Sequence, residues 1–184
     1  VEIAEFGGPN WKAGDELHAL RPLVDFRASN QAQYYPVHLI EWSPQNKANI
    51  AGIPPGTTHF ADHDSKDAYH AMQLEQKGKR MGCSKYKDSR GNDVYLEPQC
   101  CQQGQASSAA WFSPWVRYGY TCFIGPHHSV WWLDFSDDSC AHGCDEAQCM
   151  HRYAVLGIIK VLMGLQPQIK RLPSCSVEKH WTGL

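Results

Sequence analysis

"SVWWLDFSDDS", Ser129 to Ser139, is the stretch whose reading decides the fold. An apolar run ends in two adjacent carboxylates, Asp137 and Asp138, and the chain then continues in small residues. Adjacent acids repel, and burial raises the cost of ionising either one. The stretch reads as a β-hairpin with the acids at its tip, where either water solvates the pair or a cation balances it.

Working outward, "HFADHD" (59–64) reads as a second strand, with Asp62 and Asp64 two apart and therefore on one face. "SKDAYHAMQLEQ" (65–76) has the polar start and apolar spacing of a helix. "GQASSAAWFSPWV" (104–116) reads as a glycine turn entering a helix of small residues. "DEAQCMHRYAVLGIIKVLMGL" (145–165) has acids in its first turn and apolar positions at Tyr153, Leu156, Ile159 and Met163, an amphipathic helix. Nearer the start, "LRPLVDFR" (20–27) reads as a strand and "NQAQYYPVHLIEW" leads toward a loop. "SPQNKANIAGIPPGTT" (43–58) is rich in turn formers and separates a first lobe from the remainder of the chain. This order predicts an antiparallel sheet with helices on one face, an α+β fold. If the two acidic strands are neighbours, their carboxylates converge at one sheet edge. Magnesium favours such oxygens and binds through one or two of them plus substrate phosphates. A pair of ions about 4 Å apart stabilises both the attacking and the leaving oxygen of a phosphoryl transfer.

The 184 residues are enough for one domain, or one domain with a small lobe, around a real core. With 42% hydrophobic and 20% charged residues the chain is expected to fold rather than stay disordered. No apolar run approaches the length that spans a bilayer, and "VEIAEFGGPNWKAGDE" lacks the order of a signal peptide. A soluble, intracellular protein without a membrane partner is therefore expected. The net charge of −2 does not announce a nucleic-acid binder, so any such contact needs a local patch. Lys77, Lys79, Arg80, Lys85, Lys87 and Arg90 crowd into one short span around Tyr86. They make either a solvated basic hairpin or a surface for template phosphates with an aromatic ring to stack on a base. The eight cysteines are read as reduced thiols, Cys100 and Cys101 as buried ones. "CAHGCDEAQCMH" brings Cys140, His142, Cys144, Cys149 and His151 together in sequence, but matches none of the common zinc-finger spacings. Packing around a helix start is preferred there to a structural zinc site.

"RPLVDFRASN", "FADHDSKDAYHAMQL", "QGQASSAAWF", "FSDD" and the terminal "HWTGL" occur in the order of successive reverse transcriptase motifs. The chain resembles, over roughly residues 12 to 184, the enzymes of retroviruses and gypsy-type long-terminal-repeat retrotransposons. The resemblance implies Asp64, Asp137 and Asp138 as catalytic acids holding two magnesium ions, for which manganese could substitute. It implies Tyr69 as the aromatic gate against a ribose 2′-hydroxyl, and Gln103 and Gly104 as contacts to the incoming nucleotide, with Phe112 closing that motif. Arg21 matches the arginine that binds the triphosphate, Lys12 is a looser match for its lysine partner, and "WTGL", with Trp181 and Gly183, matches the primer grip. Asp62 and Asp134 are expected to be bystanders. Ala109 stands where many members have proline, Phe135 replaces the commoner tyrosine, and Pro22 sits inside the first strand.

The implied architecture is the fingers and palm of a right-hand polymerase. Fingers would span 1–55 with the basic hairpin 77–97 packed on them, and a ferredoxin-like palm would span 56–184. Thumb, connection and RNase H regions are expected to be absent from the chain. The implied function is RNA- or DNA-templated extension of a primer with deoxynucleotides, in the cytoplasm, an element particle or the nucleus, with the missing segments or a second subunit as partner. The alternative is a catalytically inactive nucleic-acid-binding or scaffold domain derived from such a polymerase. A zinc-organised interaction module is a third reading and rests on the Cys/His stretch alone.

Overall fold

The structure is a computed structural model and describes residues 3–4, 23–32, 50–168 and 175–177. The described chain is α+β, with four helices and small antiparallel sheets. The central sheet has three strands, β3 (His59–His63), β7 (Trp132–Phe135) and β8 (Asp138–Gly143), with β8 in the middle. β8 pairs with β3 from His59 opposite Gly143 to His63 opposite Ser139. It pairs with β7 from Trp132 opposite Ala141 to Phe135 opposite Asp138. Only Ser136 and Asp137 remain for the turn between β7 and β8, and Ser136 takes φ 58°. A positive φ at the first of two turn residues is the sign pattern of a type II′ hairpin, whose twist suits the strands it joins.

Side chains alternate across this sheet as the pleat requires. One face presents Trp132 and Ala141, with buried Ala61 opposite Ala141, to α3 (Ala106–Ile124) and α4 (Glu146–Leu162), and the main core is closed by Phe112, Val116, Tyr120, Leu156 and Ile159. Trp132 and Tyr120 meet edge to face with ring centroids 5.2 Å apart. The other face carries Leu133, Cys140 and Phe60 under Ile50 and Ile53. α4 starts where Asp145 accepts a hydrogen bond from the Gln148 N–H at 2.7 Å, a side-chain cap worth about 1 kcal/mol. The start of α3 has no cap of its own; the Asn30 amide supplies one by accepting from the Ala106 N–H and donating to the Gly104 carbonyl. Asn30 belongs to α1 (Arg27–Ala32).

Small pairings complete the frame. β1 (Ile3–Ala4) pairs with β2 (Leu23–Val24), β4 (Ser65–Lys66) with β9 (Gln166–Pro167), and β5 (Ser84–Lys87) with β6 (Asp93–Leu96). Along the outer edge of β3, Phe60 exchanges both backbone hydrogen bonds with Ser176, and the Gln168 N–H donates to the Asp64 carbonyl.

Three segments differ from their sequence reading. The helix expected over 65–76 is replaced by β4, a 3-10 turn at Ala68–Ala71 and an extended stretch hydrogen-bonded to residues 99–101. Asp67, at φ 49°, interrupts any regular helix there, and Ser65 and Lys66 are claimed by β9. The strand expected over 20–27 is confined, among the described residues, to Leu23–Val24, because Asp25 accepts from the Arg27 N–H and starts α1. The basic span is split: Lys77, Lys79 and Arg80 lie on α2 (Gln76–Met81), whereas Lys85, Lys87 and Arg90 lie on the β5–β6 hairpin.

Gly143 ends β8 against the first turn of α4. A Cβ there would stand 2.6 Å from the Cys149 backbone nitrogen and 3.1 Å from the Asp145 carbonyl, atoms that cannot rotate away. Gly143→Ala is expected to cost about 1–3 kcal/mol, as overpacking does. Urea unfolding followed by Trp fluorescence measures it, and a change below about 0.5 kcal/mol would contradict the packing described.

Candidate active site

Register builds the acidic edge. The β3–β8 ladder ends at His63 opposite Ser139, so Asp64, just past the end of β3, and Asp138, the first residue of β8, come at the same end of the pair. The β7–β8 turn then adds Asp137 beside Asp138. All three acids line one cleft of about 280 Å³, with Ser65, Lys66, Asp67, Tyr69, His70, Gln103 and Gln168 among its other walls. Partial desolvation raises the Asp138 carboxyl above the ordinary range, and the neighbouring charges of Asp137 and Asp64 push it further the same way. The edge therefore carries excess negative charge.

Behind it sits a buried polar layer. Asp134, on the opposite side of the hairpin from the cleft, is 7% exposed and accepts from Ser139 Oγ at 2.7 Å. Burial pushes its carboxyl up to about 6, while Ser139 and the Lys160 ammonium pull it back. Lys160, 1% exposed on α4, donates from Nζ to Ser65 Oγ at 3.0 Å, to the His63 carbonyl at 3.3 Å and to the Asp137 carbonyl at 3.4 Å. Burial lowers its ammonium to about 8, and Asp134, Asp138, Asp64 and Asp137 oppose that fall.

Tyr69 stands at the cleft wall on the 3-10 turn. Its hydroxyl shares a hydrogen bond with Ser136 Oγ of the hairpin tip, and its ring leans on Phe112 at 5.0 Å. Burial raises the phenol above its usual range. Gln103 and Gly104 precede α3; Gln103 lines the cleft, and Gly104 adopts φ 88°, a conformation that costs glycine nothing. Lys12, Arg21, Trp181 and Gly183 lie outside the described residues, as does Pro22.

The remaining sequence candidates are dispersed. Asp62 is exposed on β3 and does not line the cleft. Lys85 and Lys87 both pair with Asp93, at 2.7 and 3.6 Å, and Lys79 donates to Gln99 Oε1 at 2.6 Å. Lys77 and Arg80 are exposed on α2. In the Cys/His stretch, Cys140, His142 and Cys149 are buried, whereas Cys144 and His151 are exposed. The Cys140 and Cys149 thiols lie at hydrogen-bonding distance from the Ala141 carbonyl, and burial, with Cys175 next to it, pushes the Cys149 thiol up to about 12. Cys101 is buried and Cys100 half-buried.

Among the described residues, no three His, Cys, Asp or Glu side chains form a ready-made coordination shell. Magnesium needs fewer protein ligands than that, because water and substrate phosphates complete its octahedron. The hard oxygen donors of Asp64, Asp137 and Asp138, with their mutual repulsion, fit such an ion.

Sequence reasoning passed over Lys160, yet the signal was there: it falls four residues after Leu156 and seven after Tyr153, on the apolar face of the helix. Gln168 carried no comparable mark. No family model matches the chain, and no curated protein matches it.

His63, beside Asp64, is held down to about 4 by burial and then by the Lys160 charge. The unfolded chain takes up this proton near pH 6.5, before the folded one does, so stability present above 6.5 is lost as pH falls toward 4. Between about pH 7 and 4.5, wild type is expected to lose roughly 2 kcal/mol more than His63→Phe. Urea unfolding across that range in EDTA measures the difference; parallel pH profiles would refute it.

Proposed function

We propose that this chain is the fingers and palm of a reverse transcriptase, extending a primer 3′-hydroxyl with deoxynucleotides on an RNA or DNA template. The observation that carries the reading is the gathering of Asp64, Asp137 and Asp138 in one cleft that also holds Tyr69 and Gln103. The motif order seen in the sequence supports the same reading. In it, the three-stranded sheet with α4 behind is the palm, and the basic α2 and β5–β6 belong with the fingers.

Asp64, Asp137 and Asp138 would hold two divalent ions at the strand ends. Such ions, when bound, lower the barrier by favouring the attacking alkoxide and the departing pyrophosphate. The chain's own residues supply position. Asp64, Asp137 and Asp138 all line the cleft, so phosphate oxygens entering it meet charges already in place. Gln103, at the α3 entrance, borders the space for the incoming nucleotide, and the Asn30 clamp holds that turn. The Tyr69 ring, braced by Phe112 and by Ser136, occupies the wall where a ribose 2′-hydroxyl would project. Lys77 and Arg80 offer charge to a template backbone; Lys79, Lys85 and Lys87 would first exchange their present partners.

Magnesium-dependent extension of a primed RNA template tests the reading. Asp64→Asn or Asp138→Asn should each slow extension by at least about a hundredfold, the scale for losing one preorganised electrostatic contact. EDTA should abolish it. Absence of any extension by wild type across magnesium and manganese concentrations would favour a catalytically inactive nucleic-acid-binding domain instead. Tyr69→Ala should admit ribonucleotides by removing a steric wall. A folded variant that still rejects them would end the gate assignment.

A further inference from the structure

Lys160 is the one buried lysine among the described residues, and its hydrogen bonds go where the acids are. Its Nζ contacts the residues on either side of Asp64, through the His63 carbonyl and Ser65 Oγ, and reaches the Asp137 carbonyl at the hairpin tip. It thus joins the end of β3 to the β7–β8 turn from the helix side, while the cleft opens on the other. Burying an ammonium is costly unless it is paired and hydrogen-bonded. Asp134 behind and Asp138, Asp64 and Asp137 ahead are the negative groups that favour its charged form.

We infer that Lys160 is a resident counter-cation of the acidic edge, clasping the strand that carries Asp64 to the tip that carries Asp137 and Asp138 and opposing divalent ions there. The inference rests on the reading that these acids bind such ions. Its physical content is competition. A fixed positive charge behind the carboxylates offsets their repulsion when the cleft holds no ion, and repels an ion that enters. The edge would then keep its shape between catalytic cycles and release ions readily.

The test compares the whole chain with Lys160→Met, which removes charge and donors, and Lys160→Gln, which removes charge and keeps donors. Mn2+ binding is followed by the loss of the free-ion electron paramagnetic resonance signal, and Tm is measured with EDTA and with Mg2+. Both variants are expected to bind Mn2+ roughly tenfold more tightly than wild type, the scale of one nearby like charge at a partly solvated site. Their rise in Tm on adding ion should be larger in proportion. A variant unfolded in EDTA that folds when ion is added supports the same conclusion. Equal or weaker Mn2+ binding by the variants would overturn it, as would a variant that no divalent ion can fold. Wild type that binds no Mn2+ would instead remove the metal reading of the acidic edge, and this inference with it.

Discussion

The pairing of β8 with β3 is the constraint on which the rest of the site depends. A slip of one residue would turn every side chain of the strand to the opposite face, and would carry Ala61 and Ala141 out of the core. The burial of those two alanines therefore holds the register, and the register brings the end of β3, next to Asp64, to the end of β8 that carries Asp138. The acids take their positions from apolar packing several residues away. The geometry of the acidic edge is a consequence of how small residues pack within the sheet.

Charge is arranged in depth around that frame. Asp64, Asp137 and Asp138 face the cleft, Lys160 lies beneath them, and Asp134 lies deeper still with Ser139 and Tyr120. Each layer makes the next one tolerable. An ammonium in the core without the acids would be driven to lose its proton, and the acids without a cation would drive up one another's proton affinity. The alternation of the two signs lets a buried polar stack persist inside an otherwise apolar interface.

Much of this was legible in the chain. The β7–β8 hairpin follows from an apolar run broken by two acids, and α4 from its 3.6-residue periodicity and the Asp145 cap. β3 follows from alternation. The segment 65–76 misled because its spacing suits a helix, while tertiary pairing with Gln166, Pro167 and the 99–101 stretch pulls it straight. Local pattern cannot register a partner so distant along the chain. The Asn30 clamp was illegible for the same reason, since nothing in "RASN" announces a helix start at Ala106. Of the acids, only the adjacency of Asp137 and Asp138 speaks for itself; setting Asp64 beside them took the motif order as well. Lys160 was readable in principle, as a lysine at a position the helix reserves for its apolar face.

The exchange of backbone hydrogen bonds between Phe60 and Ser176 bears on how the molecule behaves in company. A strand whose outer edge is open offers its amides and carbonyls to any passing extended segment, and so invites stacking of like chains. Here the returning chain occupies that edge at Phe60 and again, through Gln168, at Asp64. The same segment that shields the sheet from its neighbours therefore also fastens the backbone of an acidic residue. Shortening the chain ahead of Ser176 would open the β3 edge at Phe60 to self-association, while Gln168 would still hold the end nearest the cleft.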